Sequence, residues 1–170
     1  MALTEVTRTY LEMRRREDLT GTGTALPEGV RLERVRECPI SFHRYLYREV
    51  GRDYHWRDRL TWTDQQVRDW LDDPHVTLHV LFRLGSPAGY FELRREADGS
   101  VEIAYFGLLP EFLGKGLGKL LLTLAVTEAW DSGARRVWLH TCTLDDPAAL
   151  PNYLRRGFRK FKEERYTIVG

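Results

Sequence analysis

The sequence predicts an α/β (α+β) domain: an antiparallel meander of strands, followed by alternating helices and strands. Three observations carry this. Val76–Arg83 and residues 88–96 and 100–109 are strand-like runs separated by Gly85-Ser86-Pro87 and Asp98-Gly99, turn signals that join neighbouring antiparallel strands. Past Pro110 the apolar spacing changes to the helical period, with Leu117, Leu120, Leu121 and Leu124 on one long amphipathic helix that ends at Ser132-Gly133. A strand, a short helix and a final strand then follow at residues 137–141, 147–156 and 158–169, the helix stopped by Gly157.

The N-terminal half supplies the remaining elements. Residues 4–13 read as a strand and 20–27 as a Gly- and Thr-rich break. Val30, Leu32 and Val35 form a second short strand, and residues 38–50 a helix closed by Gly51. Thr63 with Gln66 three residues later is a capping box, opening a helix whose apolar face is Val67, Trp70 and Leu71 and which stops at Pro74. Residues 53–62 between the two helices are irregular and aromatic.

At 170 residues and 42% hydrophobic content, residues 1–170 are read as one domain with one sizeable core. The 26 basic and 25 acidic residues nearly cancel, so no net field favours nucleic acid or an anionic membrane. Arginine pairs such as Arg94-Arg95, Arg135-Arg136 and Arg155-Arg156 are read as solvated faces. Cys38 and Cys142 are read as reduced thiols in a cytoplasmic protein. No long apolar run marks a signal peptide or membrane anchor at residues 1–16.

The stretch that carries chemistry is Leu108-Leu109-Pro110-Glu111-Phe112-Leu113-Gly114-Lys115-Gly116-Leu117-Gly118-Lys119, which feeds a strand into the long helix. Glycines let the backbone approach a ligand, and a helix start offers free N–H donors at the positive end of its dipole, a site suited to phosphate. A P-loop would need glycine at 113 and a hydroxyl at 120, where leucine stands at both. The dinucleotide fingerprint started at Gly114 or Gly116 places Lys119 or Leu121 where its third glycine belongs.

The segment resembles the diphosphate loop of the GNAT family of N-acetyltransferases, Arg/Gln-x-x-Gly-x-Gly/Ala: Gly116 and Gly118 match, with Pro110 and Glu111 ahead of them and Leu113 in place of Arg or Gln. A second match is the family's Asn-x-x-Ala-x-x-x-Tyr followed by Gly-Phe, met here by Asp146, Ala149, Tyr153 and Gly157-Phe158, with aspartate for asparagine.

The resemblance implies a mixed, mostly antiparallel central sheet flanked by helices and splayed between its fourth and fifth strands, with acetyl-CoA as cosubstrate. It would be held at Leu113, Gly114, Lys115, Gly116, Leu117, Gly118 and Lys119, its pantetheine arm pairing along 106–109. Leu108 and Leu109 would contact it there, with the Leu108 N–H as oxyanion donor, and Asn152 either faces it or is a solvated amide. Tyr153 would be the acid for the departing thiolate. Glu102 is either a base, its carboxyl pKa raised by partial burial, or an ordinary outward glutamate.

His140 and Cys142 share a strand face near Asp145, a pattern open to a covalent acetyl carrier or to a buried thiol. His75 and His79 form no metal set on a strand, and no metal is predicted. Among the aromatic residues, Tyr54, Trp56 and Tyr105 are candidates for the acceptor pocket, whereas Tyr90 and Trp62 are read as core. Asp53 and Asp58 would suit an amine. The expected partner is a small-molecule or protein amine, not nucleic acid or membrane, and a homodimer stays open. The rival readings are a catalytically silent acyl-CoA-binding module and a nucleotide-binding protein.

Overall fold

The computed structural model describes residues 2–21 and 23–169. Seven strands and four α-helices follow one another as β1 (Leu3–Met13), β2 (Val30–Arg34), α1 (Ile40–Val50), α2 (Asp64–Asp72), β3 (Val76–Arg83), β4 (Ser86–Arg95), β5 (Ser100–Leu108), α3 (Leu117–Asp131), β6 (Arg136–Cys142), α4 (Ala149–Arg156) and β7 (Arg159–Val169). The strands form one sheet in the order β2-β3-β4-β5-β6-β1-β7, antiparallel at every junction except the parallel β5–β6 pair. This is the mostly antiparallel mixed sheet that the family resemblance implies.

Helices cover the sheet from both sides. Leu11, Met13, Val137 and Leu139 pack with Leu121, Leu122 and Val126 of α3 on one face, while Leu46 and Val50 of α1 meet Leu78, Val80 and Tyr90 on the other. The Thr63–Gln66 capping box forms at α2, with the Gln66 N–H donating to Thr63 Oγ1 and the Thr63 N–H to Gln66 Oε1.

Some expectations need correction. α3 is buried nearly all round rather than amphipathic, because the sheet packs under it and α4 beside it. Gly51 ends α1 without a left-handed φ; it is needed for close approach, since a Cβ there would stand 2.3 Å from Trp56 Cβ. The β3–β4 hairpin turns on Leu84-Gly85, both at positive φ, so β4 begins at Ser86. α1 starts at Ile40 and α4 at Ala149, two residues later than expected in each case. Arg156 is buried against the loop at Gly21 rather than solvated.

Two features of the sheet position the site. The β4–β5 ladder pairs Glu92 with Tyr105 and Leu93 with Ile103, leaving Ala104 as an extra residue. Such a bulge bends its strand. Accordingly β5 keeps only three pairs with β6, the last being Glu102 with Trp138, and then diverges from it. Counted across the sheet, the two are the fourth and fifth strands. The second feature is β1, which lies between β6 and β7 instead of at the edge where chain order would leave it.

Candidate active site in the splay

Where β5 and β6 separate, a cleft of about 940 Å³ runs into the molecule. Its walls are the free side of β5, the glycine loop before α3, β6 with the start of α4, and the loop after α1. Of the residues singled out from the sequence, Glu102, Tyr105, Leu108, Leu113, Gly114, Gly116, Gly118, Lys119, Asn152, Tyr153, Tyr54 and Trp56 all line it. Leu109 and Leu117 are instead buried in the two hydrophobic clusters, and Lys115 is exposed outside the walls.

The glycine loop is built by backbone conformation. Gly114 and Gly116 have φ of 75° and 77°, and Gly116 is the N-cap of α3. A Cβ at either position meets nothing within 4 Å, so glycine is demanded there by the left-handed φ and not by crowding. The loop therefore presents bare backbone and the first amides of α3 to open space beside the cleft, the surroundings a diphosphate needs. Leu113, 42% exposed, leaves this wall without the charged or amide side chain of the family pattern. Gly116→Val is expected to weaken coenzyme A binding on the order of tenfold or more by titration calorimetry, because a β-branched residue resists this φ. Unchanged affinity would count against the loop.

Tyr153 stands on α4 with its ring edge-on to Phe106 and to Phe158, each at 6.2 Å. Burial, then the charges of Asp145 and Asp146, push its phenol pKa up, so the hydroxyl keeps its proton. On the facing strand, burial followed by the charge of Glu96 raises the Glu102 carboxyl above its ordinary range, in the direction expected from the sequence. Glu102 Oε2 lies 4.0 Å from His140 Nε2, and burial together with Arg8 lowers the pKa of that imidazole. Burial favours the uncharged form of both groups.

Asp145 does not activate Cys142. Its Oδ2 accepts from Thr141 Oγ1 at 2.6 Å and from the Cys142 N–H at 3.0 Å, while burial and the Asp145 charge raise the thiol pKa. A thiolate is disfavoured there, which argues against a covalent acetyl carrier.

The opposite wall is the aromatic loop. Tyr54 donates its hydroxyl to Asp146 Oδ2 at 3.1 Å, tying this loop to the start of α4 across the cleft. The carboxylate that replaces the family asparagine thus accepts from Tyr54, and its Oδ1 accepts from the Ala148 N–H at 2.9 Å. Trp56 serves both core and cleft, packing on Tyr105 at 5.0 Å and Tyr47 at 5.4 Å. Tyr90 is fully buried, as expected, whereas Trp62 is only half-buried and meets Trp70 edge-on. Asp58 lines the cleft; Asp53 does not.

Sequence reasoning missed the group that holds this loop in place. Glu92 on β4 is fully buried; Arg59 Nη1 donates to it at 2.6 Å, Trp70 Nε1 at 3.0 Å, and His43 Nε2 lies 3.0 Å away. The Arg59 guanidinium lies over the rings of Tyr105, Trp70 and Trp62 at 4.1, 4.3 and 4.7 Å. The available signal was a lone carboxylate within the apolar run Ala88 to Leu93.

A splayed sheet with a glycine loop at one wall defines the class, and the comparisons assign the family. Residues 43–158 match the model described as the Acetyltransferase (GNAT) family, and the chain belongs to it. It is 30% identical over 111 residues to a mycothiol acetyltransferase of Corynebacterium efficiens, covering 62% of this chain and 36% of that protein. It is 35% identical over 71 residues to an uncharacterized N-acetyltransferase of Mycobacterium bovis, covering 42% of this chain and 46% of the relative. The chain thus spans less than half the length of both relatives. In fold it resembles a GCN5-related N-acetyltransferase from Kribbella flavida, with TM-score 0.67 and 23% identity over 99% of this chain and 60% of that one. Among the described residues no helix is long and apolar enough to cross a membrane.

Proposed function

We propose that this protein is an acetyl-CoA-dependent N-acetyltransferase that acetylates a primary amine, of a small molecule or a protein, by direct attack. The observation that carries the proposal is the cleft itself, in which the glycine loop, the unpaired side of β5, a raised-pKa carboxyl and a proton-retaining phenol meet. Acetyl-CoA is the substrate that supplies the thioester. The loop from Leu113 to Lys119 holds its diphosphate, Asn152 faces it, and the edge of β5 beyond Glu102 pairs with its pantetheine amides.

The amine nitrogen attacks the thioester carbonyl carbon, the oxyanion accepts from the Leu108 N–H, and the carbon–sulfur bond breaks. Glu102 takes the proton lost by the amine, and Tyr153 gives its proton to the departing sulfur. Cys38 and Cys142 are both free thiols, in keeping with a cytoplasmic protein.

Thiol release from acetyl-CoA over a panel of amines, with coenzyme A binding measured by calorimetry, tests the reading. Turnover on an amine supports it; tight binding with no turnover on any amine leaves a silent acyl-CoA-binding module; no binding removes it. Glu102→Gln is expected to lower kcat by about 10²–10⁴-fold. A base works when deprotonated, so wild-type activity rises with pH through the raised Glu102 pKa, and the variant loses that acid limb. A pH–rate profile checks both.

A further inference from the structure

The unusual place of β1 brings an N-terminal side chain into the cleft. Arg8 stands opposite Cys142 on β6 and Glu164 on β7, and directly opposed residues share a sheet face. Its side chain is half-buried in the cleft wall, with the guanidinium 5.1 Å over the Tyr166 ring and Nη2 3.5 Å from the Tyr166 hydroxyl. Among the described residues no carboxylate pairs with it. Glu164, its cross-strand neighbour, makes its ion pair with Lys162 at 2.8 Å and feels Arg8 only through its charge.

Of the other cations in the walls, Arg59 is committed to Glu92 and Lys119 belongs to the glycine-loop end, while Arg57 and Arg155 are exposed to solvent. Asp58 and Asp145 line the same cleft as Arg8 and His140, and the charges of these two acids, of Glu164 and of Arg8 all reach the His140 imidazole. The carboxylates suit an amine. Arg8 is the half-buried cation of the walls that no carboxylate pairs with, and such a guanidinium is a ready two-pronged receptor for a carboxylate. The three acids repel any anion, a phosphate dianion about twice as strongly as a carboxylate monoanion.

We propose that the acceptor carries a carboxylate close to its amine, as an amino acid does, and that Arg8 binds that carboxylate while the amine lies by Glu102 and His140. The spacing allows it. Tyr10 is opposite His140, and Arg8 is the next residue along on the same face, so Arg8 and His140 are diagonal neighbours about 7–8 Å apart. A small molecule bridges that span.

The proposal rests on the acetyltransferase reading, and the test separates the two. Thiol release with saturating acetyl-CoA is measured on the common amino acids, their amides and their decarboxylated amines, for wild type, Arg8→Met and Arg8→Lys. Coenzyme A affinity is measured for each protein. The wild type is expected to favour the acids in kcat/KM on the order of tenfold or more. Arg8→Met brings the ratio toward one, mainly through KM, and Arg8→Lys keeps part of it. If coenzyme A binds but acids show no advantage, or no amino acid is turned over, or Arg8→Met leaves the ratio intact, the carboxylate site is overturned. If coenzyme A does not bind at all, the acetyltransferase reading fails and takes this proposal with it.

Discussion

Glu92→Leu is expected to destabilise the protein by about 3–5 kcal/mol, measured by chemical denaturation. The carboxylate has no exposure, and the substitution leaves the Arg59 guanidinium, itself 6% exposed, without its counter-charge. Three segments lose their common anchor: α1 through His43, α2 through Trp70, and the loop after α1 through Arg59. Stacking on Trp62, Trp70 and Tyr105 does not replace an anion in a buried site. The double variant Glu92→Leu/Arg59→Met removes both charges and is expected to recover much of the loss, because the single change costs most by orphaning its partner.

The same network has a pH signature. Burial works to raise the Glu92 carboxyl pKa, but Arg59 and His43 beside it hold it below the ordinary value. A carboxylate with a lowered folded pKa contributes stability above its unfolded pKa of about 4.3, and that contribution is lost as pH falls through the folded value. Wild-type stability therefore drops in acid below that point, and the drop is shallower in Glu92→Leu. A Glu92→Leu loss under about 1 kcal/mol, or parallel acid curves, would show that the buried pair is not the anchor.

What could be read from the sequence was what short-range physics determines. The strands, the Thr63–Gln66 cap and the glycine bend before α3 each depend on neighbours within a few residues, and each formed. Tyr153 and the glycine loop were located by motif, and the structure sets them on facing walls of one cleft. Placement across the sheet was not legible. Residues 4–13 give a strand in any arrangement, and only the pairing with β6 and β7 turns Arg8 toward the cleft.

The buried pair was hidden for the same reason. Arg59 and Glu92 lie 33 residues apart, and neither one's local sequence announces the other. Amphipathicity misled at α3, where Leu122 and Val126 lie on the side away from the Leu117, Leu121, Leu124 stripe yet are as buried, because neighbouring elements close over them. Periodicity reports how one face differs from another, and a helix covered on all sides has no such difference.

Tyr153→Phe is expected to lower kcat by about 10²–10⁴-fold, while coenzyme A affinity and folding stability change little. The phenyl ring keeps the edge-on contacts with Phe106 and Phe158, and among the described residues the lost hydroxyl hydrogen-bonds to no other side chain, so no buried partner is orphaned. The loss falls on proton delivery to sulfur. An acid works in its protonated form, so activity through Tyr153 would decline as pH rises through its pKa. Burial and the two neighbouring aspartates move that decline above the ordinary tyrosine value of about 10. Wild-type kcat should therefore hold level through mildly alkaline pH, with its one steep limb on the acid side, where Glu102 titrates. In the proposed mechanism the two groups would divide the work by environment: the carboxyl is raised above its ordinary range, which suits a base, and the phenol is raised still further above neutrality, so that it keeps a proton to give. A Tyr153→Phe protein with kcat within a few-fold of wild type on a good acceptor would mean that the sulfur takes its proton from another source, such as water.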